Sequence, residues 1–286
     1  MLMMGMPSNK YAKPFIKWAG GKRQLLPEIK ERIPAVIKGT YFEPFVGAGA
    51  VFLELQRNKA TINDLNSELI DAYTSIKENV DELIELLQAY AIKNEASFFY
   101  EIRSKDRDET FNDWSKVEKA ARFIYLNKTC YNGLYRVSAQ GFFNTPFGNY
   151  KKPAICEEIK LRAISNYLNT NSVTIYNGDY EKSVKAKKDD FVYFDPPYHS
   201  PDKTNFTGYQ KGGFDESEQE RLFRLFAKLS DDGVKCMLSN SATPFIKNLY
   251  KDYNIDVVKA TRAINSISSE RGAVDEVIVR SWWVDE

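Results

Sequence analysis

Seven short runs of apolar and β-branched residues follow one another along the chain, and helical patterns separate them. The runs are residues 40–45, 60–64, 173–179, 190–195, 233–241, 254–260 and 273–283. Several are almost continuously apolar, which is typical of strands that are covered on both faces of a sheet. Residues 216–230 instead follow a helical period, with Leu222, Leu225 and Leu229 on one side. The alternation predicts an α/β fold in which helices cover both faces of one sheet.

The middle of the chain, roughly residues 66–171, has a different pattern. It contains helical stretches such as residues 81–90 and 115–127. This region lies between the second and third strand-like runs, so strand-like runs both precede and follow it. We therefore predict a core domain made of residues 1–65 and 172–286, and an inserted, mostly helical domain at 66–171.

A segment rich in glycine, proline and aromatic residues, 131–150, follows these helical stretches. Asn132 and Gly133 form a turn signal, and residues 136–141 are typical of a hairpin tip. The inserted domain is therefore expected to carry a β-hairpin.

Composition excludes several classes of protein. With 286 residues, of which 43% are apolar, the chain can bury a core. No apolar run approaches the roughly 18 residues of a membrane span, and the first ten residues lack a secretion pattern. One histidine and three separated cysteines exclude a multi-histidine or cysteine metal site. We expect a cytoplasmic, globular protein that holds no metal.

The formal net charge of +1 conceals three charged blocks. Residues 1–40 carry a net charge of +6, residues 63–115 a net charge of −8, and residues 116–162 a net charge of +6. The ordinary interpretation of the acidic block is a set of solvated helix faces. The two basic blocks contain interleaved aromatic residues, a combination that suits the phosphates and bases of a nucleic acid.

The first candidate motif is FIKWAGGKR, residues 15–23. Its Gly-Gly-Lys is similar to a phosphate loop, but Ile16 occupies the position of the first required glycine and Arg23 that of the hydroxyl residue. A nucleoside triphosphatase is therefore rejected. A basic turn that enters a helix remains, where backbone N–H groups can meet a carboxylate or a phosphate.

The second candidate motif is FEPFVGAG, residues 42–49, in which a strand leads into a Gly-x-Gly turn. Such glycines allow a ligand to approach the backbone, although a tight turn alone is an equally ordinary reading. The next strand ends at Asp64. In nucleoside-binding α/β folds, an acid about 20 residues after the glycines accepts hydrogen bonds from ribose hydroxyls. The alternative role for Asp64 is to cap the helix that begins near Ser67.

The third candidate motif is Asp195-Pro196-Pro197-Tyr198, directly after a strand. The prolines end the sheet ladder, so the Asp carboxylate, a free backbone carbonyl and the Tyr ring can face one pocket. Two acceptors and a stacking ring suit a planar aromatic amine. If both N–H bonds are held out of the ring plane, the nitrogen lone pair is localised and can attack an electrophile.

In this order, the motifs resemble those of the Dam-like family of DNA adenine-N6 methyltransferases, the D12 class with the α-type motif arrangement. The similarity covers nearly the whole chain. Its segments are FIKWAGGK, FEPFVGAG, INDLNSELI (62–70), YNGLYR (131–136) with FNTPFGNYKKP (143–153), NGDYE (177–181), DPPY (195–198), NFTGY (205–209) and SISSERG (266–272).

The resemblance implies a Rossmann-like methyltransferase sheet and S-adenosylmethionine as methyl donor. Asp195 and Pro196 would then hold the target amine, Pro197 would complete the motif, and Tyr198 would stack on a flipped base. Asp64 would bind the ribose of the cofactor. The cofactor residues that the resemblance implies are Trp18, Lys22, Phe45, Gly47, Ala48, Asp64, Asp179, Tyr180 and Asp195.

The resemblance also implies double-stranded DNA as substrate, with GATC as the target site. Relatives often carry other residues at three positions of this segment, which here are Val137, Ser138 and Asn149. These differences affect the implied phosphate contacts more than the implied base readout. The DNA-binding residues that it implies are Lys17, Tyr131, Asn132, Leu134, Arg136, Pro146 and Tyr150. His199 follows the catalytic motif, and we expect it at the pocket rim or surface rather than as a general base.

Other functions remain open at this point. An amino-methyltransferase acting on cytosine N4 or on an RNA base would use the same geometry, and a non-catalytic DNA-binding relative would keep the fold. Asp at position 195 and the hairpin favour adenine in DNA. We expect a monomer that associates with the nucleoid and has a cognate restriction endonuclease as a partner.

Overall fold

The structure is a computed structural model that describes residues 9–18, 20, 22, 24–201, 213–261 and 273–283. Two of the segments that carry the family resemblance, NFTGY and SISSERG, lie outside the described residues.

Seven strands form one sheet, and each overlaps one of the runs that the sequence predicts. The order is β3-β2-β1-β4-β5-β7-β6. β1 pairs in parallel with β2 and β4, β4 pairs in parallel with β5, and β7 is antiparallel to both β5 and β6. The predicted α/β class is therefore confirmed. The strands are β1 (Tyr41–Glu43), β2 (Lys59–Asp64), β3 (Ser172–Asn177), β4 (Phe191–Phe194), β5 (Lys235–Ser241), β6 (Asn254–Thr261) and β7 (Ala273–Arg280).

The described residues also form α-helices, most of them before β3. Local capping explains several of their boundaries: Ser115 and Glu118 form a capping box at the start of α6, and Asp215 caps α9. The helices are α1 (Leu26–Arg32), α2 (Phe52–Leu55), α3 (Ser67–Glu78), α4 (Val80–Ile92), α5 (Ala96–Ser104), α6 (Lys116–Thr129), α7 (Glu158–Thr170), α8 (Tyr180–Ser183), α9 (Glu216–Asp231) and α10 (Pro244–Leu249). None in the described part is long and apolar enough to cross a membrane.

The centre of the sheet is covered on both faces, because all four residues of β4 are buried. On one face, Phe194 of β4 and Leu238 of β5 belong to the same buried cluster as Leu222 and Phe226 of α9. The amphipathic pattern of residues 216–230 thus forms the helix that the sequence predicts and buries its apolar side.

The chain divides into two compact units, each with its own dense set of contacts. The first comprises the described residues of Met1–Gly21 together with Val46–Asn58 and Asn63–Gly178. The second contains Lys22–Phe45, Lys59–Ile62 and the described residues of Asp179–Glu286. All of the predicted insertion lies within the first unit, and its boundaries at 66 and 171 stay a prediction.

The predicted hairpin is present in the first unit in a reduced form. Val137 and Phe143 make an isolated antiparallel bridge. The described residues between α6 and α7 form no β-strand. The turn is closed by Gly141, whose N–H donates to the Ser138 carbonyl over 2.9 Å and whose φ is 93°. We call residues Arg136–Asn144 the recognition hairpin, after the role that the family resemblance implies.

Candidate active site

The motif Asp195–Tyr198 stands where the order of the parallel strands reverses, between β1 and β4. In open α/β sheets, ligands bind in the crevice outside the carboxyl ends of such strands. β4 ends at Phe194, and the prolines that follow Asp195 cannot continue its ladder. The topology therefore places the predicted catalytic motif at a position that favours a ligand.

Two donors hold the carboxylate of Asp195. Lys22 Nζ lies 2.8 Å from its Oδ1, and the hydroxyl of Ser239 in β5 donates to the same oxygen over 2.8 Å. Burial raises the pKa of Asp195, and the Lys22 ammonium and the Ser239 hydroxyl oppose that rise. The pair fixes one carboxylate oxygen and stabilises the charge of an acceptor.

The ring of Tyr198 lies beside the same lysine. Lys22 Nζ is 4.4 Å from the ring centroid, and the Tyr198 hydroxyl donates to Glu276 Oε2 over 2.9 Å. Burial and the nearby carboxylates of Asp195 and Glu276 raise the pKa of Tyr198 well above its ordinary value. Tyr198 therefore stays protonated, and its hydrogen bond to Glu276 fixes the orientation of its ring.

Sequence reasoning missed Ser239 and Glu276. Both lie in predicted strand runs that mix apolar and polar residues, and both are buried. Tyr193 of β4 shares the Ser239 hydroxyl, with the two oxygens 2.9 Å apart. The signal that could have identified them is the presence of polar residues within the predicted strand runs 233–241 and 273–283.

The expectation for His199 was wrong, because this residue is buried rather than at a rim or on the surface. Its backbone N–H donates to Asn240 Oδ1 over 2.9 Å, its Nδ1 lies 2.9 Å from Thr243 Oγ1, and its ring stacks on Phe245. Polar side chains at the end of β5 thus supply partners that draw His199 inward. These contacts anchor the segment after the motif.

Phe45 and Tyr180, two residues assigned to the cofactor by resemblance, lie together in the second unit. Their ring centroids are 5.0 Å apart, and the Arg221 guanidinium lies 4.8 Å from the Tyr180 ring. Arg221 also pairs with Asp179 over 2.8 Å. Burial alone would raise the pKa of Asp179, but the Arg221 guanidinium outweighs it and holds that pKa below its ordinary value. Asp179 is therefore a fixed anion beside an aromatic pair.

In the first unit, the Gly-x-Gly turn is held by Asp64. The Gly47 N–H donates to Asp64 Oδ2 over 3.0 Å, and the Asn66 N–H donates to Oδ1 over 2.9 Å. Asn66, rather than Asp64, caps α3 by accepting from the Leu69 N–H. The capping alternative for Asp64 is thus wrong, and its carboxylate faces the turn.

Within each unit, local features fit the roles that the resemblance implies toward S-adenosylmethionine, two in the first unit and one in the second. Gly47 has a φ of 49°, and a Cβ there would lie only 2.8 Å from Trp18 Cδ1, so the turn before Ala48 requires a glycine at this position. The Asp64 carboxylate can accept ribose hydroxyls. In the second unit, the Tyr180 hydroxyl is buried and has no hydrogen-bond partner among the described residues, so it can donate to a ligand nitrogen.

The residues assigned to DNA also keep accessible side chains. Tyr131 is 58% exposed and Leu134 38% exposed, which leaves both free for contact with a base. The Tyr131 N–H donates to the Pro146 carbonyl over 2.8 Å, which joins the two ends of the segment. Lys17 Nζ lies 4.6 Å from the Tyr150 ring centroid.

The chain turns at Asn132 and Gly133, as the sequence predicts. Their φ values are 56° and 64°, and a Cβ at Gly133 would lie 2.4 Å from Lys17 Cδ. Arg136 is exposed, and its Nε donates to Asn144 Oδ1 over 2.6 Å. The described part of the chain contains no group of three or more metal-ligating side chains.

The contact between Lys22 and Asp195 predicts a shift in pH dependence. As the pH falls through the raised pKa of Asp195, the carboxylate is protonated and the acceptor is lost, so the rate falls on the acid side. Lys22→Met removes an influence that lowers this pKa, and the acid limb should move to higher pH. Single-turnover rates across the acid range, at saturating cofactor, measure it. Lys22→Arg should keep the limb near its wild-type position, and an unmoved limb in Lys22→Met would contradict the assignment.

Comparison with known proteins identifies the family of this chain. Residues 18–264 match the family model described as D12 class N6 adenine-specific DNA methyltransferase. The chain is 47% identical over 272 residues to Type II methyltransferase M1.LlaDCHI of Lactococcus lactis subsp. cremoris, covering 94% of this chain and 95% of that one.

Two further relatives extend the similarity. Type II methyltransferase M.MjaIII of Methanocaldococcus jannaschii is 43% identical, over 91% of this chain and 95% of its own. DNA adenine methylase of Escherichia coli (strain K12) is 36% identical, over 94% of this chain and 95% of its own. The family uses S-adenosylmethionine as methyl donor and adenine in DNA as substrate. The chain therefore belongs to the D12 class of N6 adenine-specific DNA methyltransferases.

Proposed function

We propose that this chain flips an adenine out of a GATC site in double-stranded DNA and methylates its N6 atom. The observation that carries the catalytic part is the fixed carboxylate of Asp195, which lies with Tyr198 around Lys22 at the carboxyl end of β4. A planar amine needs these two elements, an acceptor for its N–H bonds and an aromatic surface for its ring.

In the proposed reaction, Asp195 and the Pro196 carbonyl accept the two N–H bonds of the adenine amino group. The ring of Tyr198 stacks on the base, and Glu276 keeps that ring in place through its hydroxyl. S-Adenosylmethionine, when bound, supplies an electrophilic methyl group. Since the nitrogen becomes positively charged on methylation, it then loses a proton, which leaves to solvent.

Support for GATC as the target comes from the recognition hairpin and its flanking segment. Their sequence resembles that of GATC-specific relatives, and Arg136 is exposed there. An Arg guanidinium donates two parallel hydrogen bonds to guanine O6 and N7, which contributes about 1–3 kcal/mol of discrimination. We propose that Arg136 selects the outer base pair, that Leu134 and Pro146 contact the thymine, and that Tyr131 fills the gap left by the flipped adenine.

Two variants should separate base readout from base flipping. Arg136→Ala should relax selection at the outer pair, so that sites changed there are methylated more nearly as fast as GATC. Tyr131→Ala should slow methylation at every site without changing the order of preference among the sites. One stacked aromatic residue contributes about 1–3 kcal/mol whatever the sequence. Single-turnover rates on GATC and its single-pair variants measure both effects. Undiminished discrimination in Arg136→Ala would remove Arg136 from the readout role.

We further propose that the enzyme protects DNA from a cognate restriction endonuclease. The relatives named Type II methyltransferases are 47% and 43% identical to this chain, against 36% for the E. coli DNA adenine methylase. Cells that carry this chain should then contain a nuclease that cuts unmethylated GATC. An extract without such an activity would contradict the restriction role but not the methylation.

A further inference from the structure

The recognition hairpin makes few hydrogen bonds of its own. The Ser138 N–H donates to the Phe142 carbonyl over 2.8 Å, and the Asn144 N–H donates to the Arg136 carbonyl over 2.9 Å. An isolated two-stranded hairpin is at best marginally stable in water. Contacts with the rest of the first unit must therefore fix the position of Arg136.

Phe143 provides the point of attachment. Its neighbours 142 and 144 bond to the opposite side of the hairpin, so the N–H and C=O of Phe143 face outward. The N–H donates to Asp106 Oδ2 over 2.7 Å, and Arg107 Nη2 donates to the carbonyl over 2.9 Å. Two consecutive side chains thus bind this edge as a third strand would. We call the pair Asp106 and Arg107 the hairpin clamp.

The clamp is itself fixed from the interior. Arg122 of α6, which is 1% exposed, lies 2.7 Å from Asp106 Oδ2, and Arg107 Nη1 lies 2.5 Å from Asp106 Oδ1. Arg122 also donates to the Ile102 carbonyl over 3.0 Å and pairs with Glu68 over 3.1 Å. Because a buried guanidinium with this many partners has little freedom, Asp106 is held in one position.

This network corrects the interpretation of the acidic block as solvated helix faces alone. Glu68 and Asp106 belong to that block, yet both are ion-paired to a buried arginine. Glu68 Oε2 also accepts from the Tyr135 hydroxyl over 2.6 Å, and the Tyr135 ring packs against Phe143 at 5.8 Å. Backbone and ring of Phe143 are thus both tied to the same ion network.

The clamp connects directly to the proposed base reader. Asn144 follows Phe143, and its side-chain oxygen accepts from Arg136 Nε over 2.6 Å. We infer that Asp106 and Arg107 are positioning residues for sequence readout: by holding both backbone groups of Phe143, they fix the hairpin, and with it Arg136, for contact with bases. This inference rests on the proposed role of the hairpin in DNA recognition.

The test compares Arg107→Ala, Arg136→Ala and the double variant. Each is assayed for the ratio of kcat/KM on a GATC duplex to that on duplexes changed at the outer pair. Arg107→Ala should lower this ratio about 3- to 10-fold, the effect of losing one hydrogen bond to the hairpin. The double variant should lose no more discrimination than Arg136→Ala alone, because Arg107 acts through Arg136.

Two controls separate positioning from charge and folding. Arg162→Ala removes another partly exposed arginine with two ion pairs, to Asp81 and Glu158, and should leave the ratio unchanged. Arg107→Lys keeps the charge and one donor and should recover part of the lost discrimination. S-Adenosylmethionine affinity and the melting temperature should stay near wild type in Arg107→Ala, since part of this side chain is already in solvent.

The outcomes distinguish failure of the clamp from failure of the proposed function. An unchanged ratio in Arg107→Ala, with a lowered ratio in Arg136→Ala, overturns the clamp alone. Unchanged ratios in both overturn the clamp and the readout role of the hairpin. A lowered ratio in Arg107→Ala alone refutes Arg136 as the reader, and it overturns the inference as well because Arg107 would then act without Arg136. Losses that multiply in the double variant show that Arg107 acts independently of Arg136, which also overturns the inference.

Discussion

Replacing Asp195 with alanine is expected to abolish methyl transfer while leaving DNA affinity close to wild type. In the proposed reaction the carboxylate acts on one amino group, whereas DNA affinity is spread over many phosphate contacts. The single-turnover rate should fall about 100-fold or more, the scale observed when a preorganised hydrogen-bonding group is removed from a reacting centre. Single-turnover methylation and DNA titration with the same duplex measure the two quantities.

The controls for this variant follow from its neighbours. Asp195→Ala leaves the ammonium of Lys22 largely buried without its carboxylate, so the protein should also lose stability. The double variant Asp195→Ala, Lys22→Met should regain stability and remain inactive, which separates the chemical defect from the folding defect. Asp252→Ala removes an exposed carboxylate and should change neither the methylation rate nor the stability. If Asp195→Ala kept more than a few per cent of the rate, its proposed role would be wrong.

Replacing Asp64 with alanine should weaken S-adenosylmethionine much more than DNA. Charge-assisted hydrogen bonds to the ribose contribute about 1.5–3 kcal/mol, which corresponds to roughly one to two decades in affinity. Asp64 also accepts from the N–H groups of Gly47 and Asn66, so the variant removes the support of the glycine turn as well. Calorimetric titration with the cofactor measures the effect.

A graded variant tests the same assignment. Asp64→Asn keeps one oxygen acceptor and should lose less affinity than Asp64→Ala. Asp113→Ala, which removes an exposed carboxylate in the same unit, should bind the cofactor like wild type. Unchanged S-adenosylmethionine binding in Asp64→Ala would refute the ribose assignment, whatever happens to the methylation rate.

The sequence predicts the strands well because their signal is local. The run 190–195 is apolar on both faces of the strand and is closed by prolines, so β4 and its end at Phe194 follow from the residues themselves. The glycine turn and Asp64 follow from spacing along the chain. These features depend on short-range patterns, which a single sequence contains.

The partners of the site were not predictable in the same way. Lys22 and Glu276 are more than 250 residues apart in the sequence, yet they contact the same ring of Tyr198. Only the antiparallel placement of β7 beside β5 brings Glu276 there. His199 was misplaced for a related reason, because its partners Asn240 and Thr243 lie at the end of another strand. Such contacts depend on sheet order, which periodicity does not encode.

The central claim is that the chain methylates adenine N6 at GATC, and mapping the methylated bases of a plasmid tests it most directly. Unmethylated plasmid is incubated with the wild-type protein and S-adenosylmethionine, then analysed for modified nucleosides and their positions. We predict N6-methyladenine at the GATC sites and at no other sequence, with none formed by Asp195→Ala. N4-methylcytosine, or N6-methyladenine at sites other than GATC, would contradict the account.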